Sequence, residues 1–312
     1  MKPDILMIEP LLPEAEARLE ADYQVHRLFA APDQAALLAE VGPRVRGAVT
    51  GGRLGASTRI IEALPALEII AVNGIGTDAV DLERARARGI RVTTTPDVLT
   101  EDVADMALAL MLAVARRIVA NDRFVREGRW PSGGAPLGTK LSGKRLGILG
   151  LGRIGRAVAR RAEGFGMDIA YTDLRAAEDV AYDHHPALED LARRSDFLVI
   201  AASAGPATRG IVNAAVLDAL GPRGVLVNVA RGSLVDEPAL VAALQEGRLG
   251  GAGLDVFAQE PEMPRALWAM ENVVLEPHQA SATVETRRAM AGLVLGNLEA
   301  HFAGRAPLTP VV

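Results

Sequence analysis

Short apolar runs rich in Val, Ile and Leu recur along the whole chain, and helical patterns separate them. The runs predict strands at residues 5–8, 47–50, 67–72, 91–94, 145–149, 168–172, 197–201, 225–229, 253–256 and 273–275. Most are continuously apolar rather than alternating, the pattern of parallel strands covered on both faces. Between them, apolar residues return every three or four positions, as at 78–88, 153–164 and 236–247. A long helix is expected over 100–126 and a last one over 284–303. Strand–helix alternation of this kind predicts an α/β fold with parallel sheets. The Gly/Pro-rich stretch 128–138 reads as a crossover between two units, and the last helix is a candidate to return to the first unit.

Composition narrows the function classes. A chain of 312 residues suggests two domains, and 49% apolar with 23% charged residues is the balance of a globular protein. The net charge of −5 and 4% aromatic content give no support to a nucleic-acid surface, and no nucleic-acid partner is expected. With no cysteine in the sequence, thiolate catalysis and cysteine-ligated metals are excluded, and the histidines form no convincing metal-ligand cluster, so no metal is expected. The most apolar window, 104–115, is shorter than the roughly 20 residues that span a bilayer. It reads as a buried helix, and the N-terminus lacks the long apolar region of a signal peptide, so a cytoplasmic protein with no membrane partner is expected.

Chemistry-bearing residues gather after the later strands. Gly150-Leu151-Gly152-Arg153-Ile154-Gly155 lies between a predicted strand and a predicted helix, and Asp173 ends the next strand about 20 residues on. Glycines at these places permit a tight turn, close approach of a pyrophosphate and close helix–strand packing. The helix start offers amide donors to phosphates, and an acid at 173 suits ribose hydroxyls. Arg231, Asp255, Glu260 and His278 each follow a predicted strand. Ligands of open parallel sheets bind beyond the carboxyl ends of the strands, so these residues are candidates for one crevice. A histidine titrates near neutrality and suits proton donation, a glutamate beside it favours its charged form, and an arginine offers a planar fork to a carboxylate.

On these motifs the chain resembles the D-isomer-specific 2-hydroxyacid dehydrogenases, in the glyoxylate/hydroxypyruvate and hydroxyphenylpyruvate reductase branch. The resemblance runs through residues 72–78 (VNGIGTD), 95–100 (TPDVLT), the glycine-rich turn, 228–232 (NVARG), 250–256 (GGAGLDV) and Pro277-His278. It implies two Rossmann-like domains with parallel sheets, a nucleotide domain at 97–281 inserted into a discontinuous substrate domain at 1–96 and 282–312. It implies reduction of a small 2-keto acid with NAD(P)H, with Arg231, Glu260 and His278 as catalytic residues. Gly150, Gly152, Arg153, Ile154, Gly155, Asp173, Arg175, Thr208, Ala230 and Asp255 would hold the cofactor, with Asp255 accepting from the nicotinamide carboxamide. Gly51, Gly52, Ile75 and Gly76, with Arg231, would hold the substrate carboxylate. Asp173 favours NAD over NADP, and the apolar 100–126 segment with Trp130 points to a homodimer. A nucleotide-sensing binding protein and a dehydrogenase of larger 2-hydroxy acids stay open as alternatives.

Overall fold

The structure, a computed structural model, describes residues 2–312. It divides into two compact units, one holding the chain up to Leu99 together with Ala282–Val312, the other Thr100–Ser281. Residues 97–99, expected in the second unit, thus fall with the first.

The first unit is built on strands β1 (Asp4–Met7), β2 (Gln24–Arg27), β3 (Val45–Gly51), β4 (Ile69–Asn73) and β5 (Arg91–Thr93), in the order β2-β1-β3-β4-β5. All neighbours run parallel. Because strand side chains alternate, Ile5, Met7, Ile69 and Ala71 face one layer and Leu6, Ala48, Ile70 and Val72 the other. The helix Val284–Phe302 covers the first of these faces with Val294 and Leu298. Its start is fixed by Thr283, whose side chain accepts from the Thr286 amide.

The second unit carries β6 (Arg145–Leu149), β7 (Asp168–Thr172), β8 (Asp183–His184), β9 (Phe197–Ile200), β10 (Val225–Asn228), β11 (Gly251–Leu254) and β12 (Val273–Leu275). Their order is β12-β11-β10-β9-β6-β7-β8, again parallel throughout. The order reverses between β6 and β9, the switch point at which doubly wound sheets open a crevice. One face packs Leu198, Ile200, Leu226 and Leu254 against Leu191, Leu217, Leu240 and Leu244 of the covering helices.

Two strands escaped the apolar pattern. β2 and β8 are polar edge strands, Gln-Val-His-Arg and Asp-His, with no face that needs full burial. The helix expected over 100–126 is two helices, Thr100–Ala115 and Ile118–Arg126. Arg117 between them is left-handed at φ 55°, and the Ala115 carbonyl accepts from Thr139 N–H at 2.7 Å instead of continuing the helix. Among the described residues, no helix is long and apolar enough to cross a membrane.

A close backbone approach lies at the start of the helix Arg153–Glu163. A Cβ on Gly155 would sit 2.0 Å from the Gly150 carbonyl oxygen. Gly155→Ala must therefore push the helix off β6. Overpacking of this kind costs about 1–3 kcal/mol. The expected outcome is a lower thermal midpoint by circular dichroism and weaker dinucleotide binding by calorimetry; unchanged values would show that the turn yields freely.

Candidate active site

Because every strand of the second sheet runs the same way, the loops after β6, β7, β9, β10, β11 and β12 leave from one edge. That edge carries the predicted residues of this unit. After β6, Gly150 turns with φ 93° and its N–H donates to the Thr172 carbonyl at 2.8 Å. Gly152 caps the following helix without a side chain, and a Cβ there would meet nothing within 4 Å. Arg153 and Ile154 form the first turn of that helix. Open space before uncapped helical amides fits a pyrophosphate.

Asp173, just past β7, is tied into this turn. Its Oδ2 accepts the Leu151 N–H at 2.8 Å, and its Oδ1 accepts the Leu174 N–H at 2.7 Å. Leu174 is 99% exposed and Arg175 follows it, also exposed. After β9, Thr208 braces its loop. Its hydroxyl accepts from Gly205 N–H and donates to the Ser203 carbonyl, each at 3.0 Å. The residues present at this end of the sheet fit a dinucleotide.

Arg231 is set by a buried asparagine that sequence reasoning did not single out. Asn228, 1% exposed, accepts from the Ala230 N–H at 3.0 Å and donates to the Arg231 carbonyl at 2.9 Å. A buried polar side chain at the end of an otherwise apolar strand was the available signal. The next residue, Gly232, passes so close to Phe257 that a Cβ would fall 1.9 Å from its carbonyl carbon. Any side chain at 232 would separate the Arg231 loop from the Glu260 loop.

His278 and Glu260 meet directly. His278 Nδ1 lies 2.7 Å from Glu260 Oε2, and the other carboxylate oxygen accepts the Phe257 N–H at 3.1 Å. Burial pushes the Glu260 carboxyl up, but the hydrogen bond and charge of His278, the Phe257 amide and Arg231 outweigh it and hold the group below the usual value. Glu260 therefore stays ionised to lower pH than a free glutamate. Its contribution is present at neutral pH and is lost only as pH falls through that depressed value.

Asp255 holds the loop that carries His278. Its carbonyl accepts the His278 N–H at 2.9 Å. Its carboxylate accepts the Gln279 N–H at 2.6 Å and the Ala280 N–H at 3.1 Å. Those bonds secure a left-handed backbone at His278, φ 57°, which a residue with a Cβ adopts only under constraint. Burial raises the Asp255 carboxyl, and the two amides partly offset the rise. Its side chain is 1% exposed, so the nicotinamide contact expected of it has only the remaining lone pairs to use.

The other predicted residues belong to the first unit. Gly51 and Gly52 lie at and just after the end of β3, and Ile75 and Gly76 follow β4. Among the described residues, no group of His, Asp and Glu side chains is arranged to hold a metal ion.

Comparison with known proteins accords with this geometry. Residues 108–280 match the family described as D-isomer specific 2-hydroxyacid dehydrogenase, NAD binding domain. The chain is 51% identical over 308 residues to a hydroxyphenylpyruvate reductase of Plectranthus scutellarioides, covering 99% of this chain and 98% of that one. It is 50% identical over 311 residues to a 2-ketogluconate reductase of Gluconobacter oxydans, covering 100% and 99%. Among solved structures, an NADPH-dependent glyoxylate/hydroxypyruvate reductase of Sinorhizobium meliloti, in complex with NADP and malonate, superposes with a TM-score of 0.94 at 45% identity, over 100% of this chain and 97% of that one. Sheet topology, glycine-rich turn and sequence identity along the whole chain agree, and the protein belongs to the D-isomer-specific 2-hydroxyacid dehydrogenase family, in its reductase branch.

Proposed function

We propose that the protein reduces a small 2-keto acid of the glyoxylate or hydroxypyruvate kind to the D-2-hydroxy acid, in the cytoplasm, with His278 as proton donor. The observation that carries this reading is the 2.7 Å bond between His278 Nδ1 and Glu260. With Nδ1 engaged, Nε2 is the nitrogen left to hold a proton for the substrate oxygen. Glu260 orients the ring through that bond. Arg231 takes the substrate carboxylate in its planar fork, and the glycine turns at Gly51, Gly52, Ile75 and Gly76 offer backbone amides to the substrate. Asp255 is a positioning residue for His278. The nicotinamide, when bound, supplies the hydride for the carbonyl carbon. Gly150, Gly152, Arg153, Ile154, Gly155, Thr208 and Ala230 hold the dinucleotide in this reading.

A panel of 2-keto acids with reduced nicotinamide cofactor tests the activity, and His278→Ala tests the role. The variant should lose about 10²–10⁴-fold in kcat, the usual worth of a positioned general acid, while dinucleotide affinity changes little. Near-normal turnover in a folded variant would remove His278 from the role.

For the cofactor we favour NAD(H). The Asp173 carboxylate is held at the end of β7 by two amides, and like charge disfavours a 2′-phosphate there. The competing reading gives Arg175 the decisive place, and the NADPH dependence of the Sinorhizobium relative favours it. kcat/KM should be higher with NADH than with NADPH, and Asp173→Ser should move the ratio toward NADPH by about ten-fold or more. Wild-type preference for NADPH, unmoved by the substitution, would reverse the assignment.

The reading includes a homodimer. The helix Thr100–Ala115 is largely buried within its own unit, but Ile118–Arg126 has no buried residue while carrying Ile118, Val119 and Val125 at 52%, 46% and 51% exposure. Trp130, 67% exposed, follows. An apolar face left bare in this way suits a two-fold contact with a second copy. Light scattering at micromolar concentration should give twice the chain mass; a monomer would overturn the assignment.

A further inference from the structure

Two glycine turns close neighbouring strands of the first unit, after β3 and after β4, and both present backbone amides. Their electrical surroundings differ. Glu9, just past β1, reaches across to the first turn, and its Oε1 accepts the Leu54 N–H at 2.8 Å. A Cβ on Gly51 would lie 2.5 Å from Glu9 Oε2 and 2.8 Å from its Cδ. The carboxylate therefore rests against the Gly51 backbone, in space that only a glycine leaves open. The turn it occupies is held firmly. Thr50 Oγ1 donates to the Gly55 carbonyl at 2.7 Å, and Ala56 N–H donates to the Ala79 carbonyl at 3.1 Å.

The second turn lies one strand further from Glu9, because β1 borders β3 and β3 borders β4. Neighbouring strands are about 4.8 Å apart. The residue of β4 paired with Gly51 is Asn73, which is neutral. An anion seated on the Gly51-Gly52 amides would thus meet a carboxylate at close range. One seated at Ile75-Gly76 would be separated from it by the width of a strand.

We propose that Glu9 is a specificity-determining residue that sets which end of the substrate each turn receives. The proposal rests on the 2-keto acid reductase reading and refines it. Within the first unit the substrate carboxylate is taken at Ile75-Gly76 rather than at Gly51-Gly52, and the Gly51–Leu54 turn receives the other end. There Glu9 admits a hydrogen, a hydroxymethyl or a polyol chain and rejects a second carboxylate. One of its lone pairs is used by Leu54, and those that remain can accept from substrate hydroxyls. Arg53, exposed on the same turn, is the group that would pull the other way.

The experiment measures kcat/KM for glyoxylate, hydroxypyruvate and 2-ketoglutarate with wild type and Glu9→Gln. Glutamine keeps the size and an acceptor for Leu54 N–H but removes the charge. Wild type should prefer hydroxypyruvate to 2-ketoglutarate. In Glu9→Gln the ratio should move toward 2-ketoglutarate by about ten-fold or more, chiefly through KM. A merely structural role would depress all three substrates alike and leave the ratio fixed, which would overturn the proposal. So would a wild type that uses 2-ketoglutarate as well as hydroxypyruvate, since Arg53 would then govern the turn. As a second measurement that needs no variant, raising the salt concentration should narrow the wild-type discrimination, because a partly exposed charge is screened; a ratio independent of salt overturns the proposal. Failure of wild type on all three acids would instead strike the reductase reading itself, and the proposal with it.

Discussion

Every strand of the second sheet runs in one direction, and the chemistry of the protein depends on that constraint. Residues far apart in the chain, from Gly150 to His278, are delivered to one edge because each loop leaves its strand at the same end. A parallel sheet has no short hairpins, so the chain crosses over before each new strand, through an α-helix after β6, β8, β9 and β10. The helices that bury the sheet are thus also the connections that bring the next functional loop back to the working edge. The site needs few side-chain contacts of its own to be assembled, and the ones it has, His278 with Glu260 and Asn228 with the Arg231 loop, make fine adjustments.

Backbone amides do much of that adjustment. Asp173 holds the glycine-rich turn, Asp255 the loop of His278, and Glu9 the turn after β3, each through an N–H that its carboxylate accepts. A carboxylate bonded to amides is fixed in place without a cation to neutralise it. This is a common basis for the NAD(H) preference assigned to Asp173 and for the substrate selection assigned to Glu9.

The parts of this arrangement visible in the sequence were those written in side-chain pattern. Continuous apolar runs marked ten of the strands, and glycine spacing with Asp173 marked the dinucleotide turn. Arg231, Glu260 and His278 stood out because each chemical residue followed an apolar run. What stayed hidden was written in the backbone or in polar residues. β2 and β8 carry no apolar signature, and the break at Arg117 depends on a carbonyl of Ala115 being claimed by Thr139. The anchoring role of Asp255 was hidden because its amide partners, Gln279 and Ala280, leave no trace in residue type. Glu9 drew no attention because its partner is the missing side chain of Gly51.

The first unit is completed from both ends of the chain. The terminal backbone lies against β5, where Val311 N–H donates to the Val92 carbonyl at 2.7 Å and Thr94 N–H to the Thr309 carbonyl at 3.2 Å. Val294 and Leu298 roof the sheet face formed by Ile5, Met7, Ile69 and Ala71. During synthesis this gives the two units opposite histories. The second has all of its strands once β12 has emerged, whereas the first, begun earlier, waits with an uncovered apolar face until the final helix arrives. The part made first is the last to close, and over that interval the nascent chain carries its greatest hazard of aggregation at its oldest end.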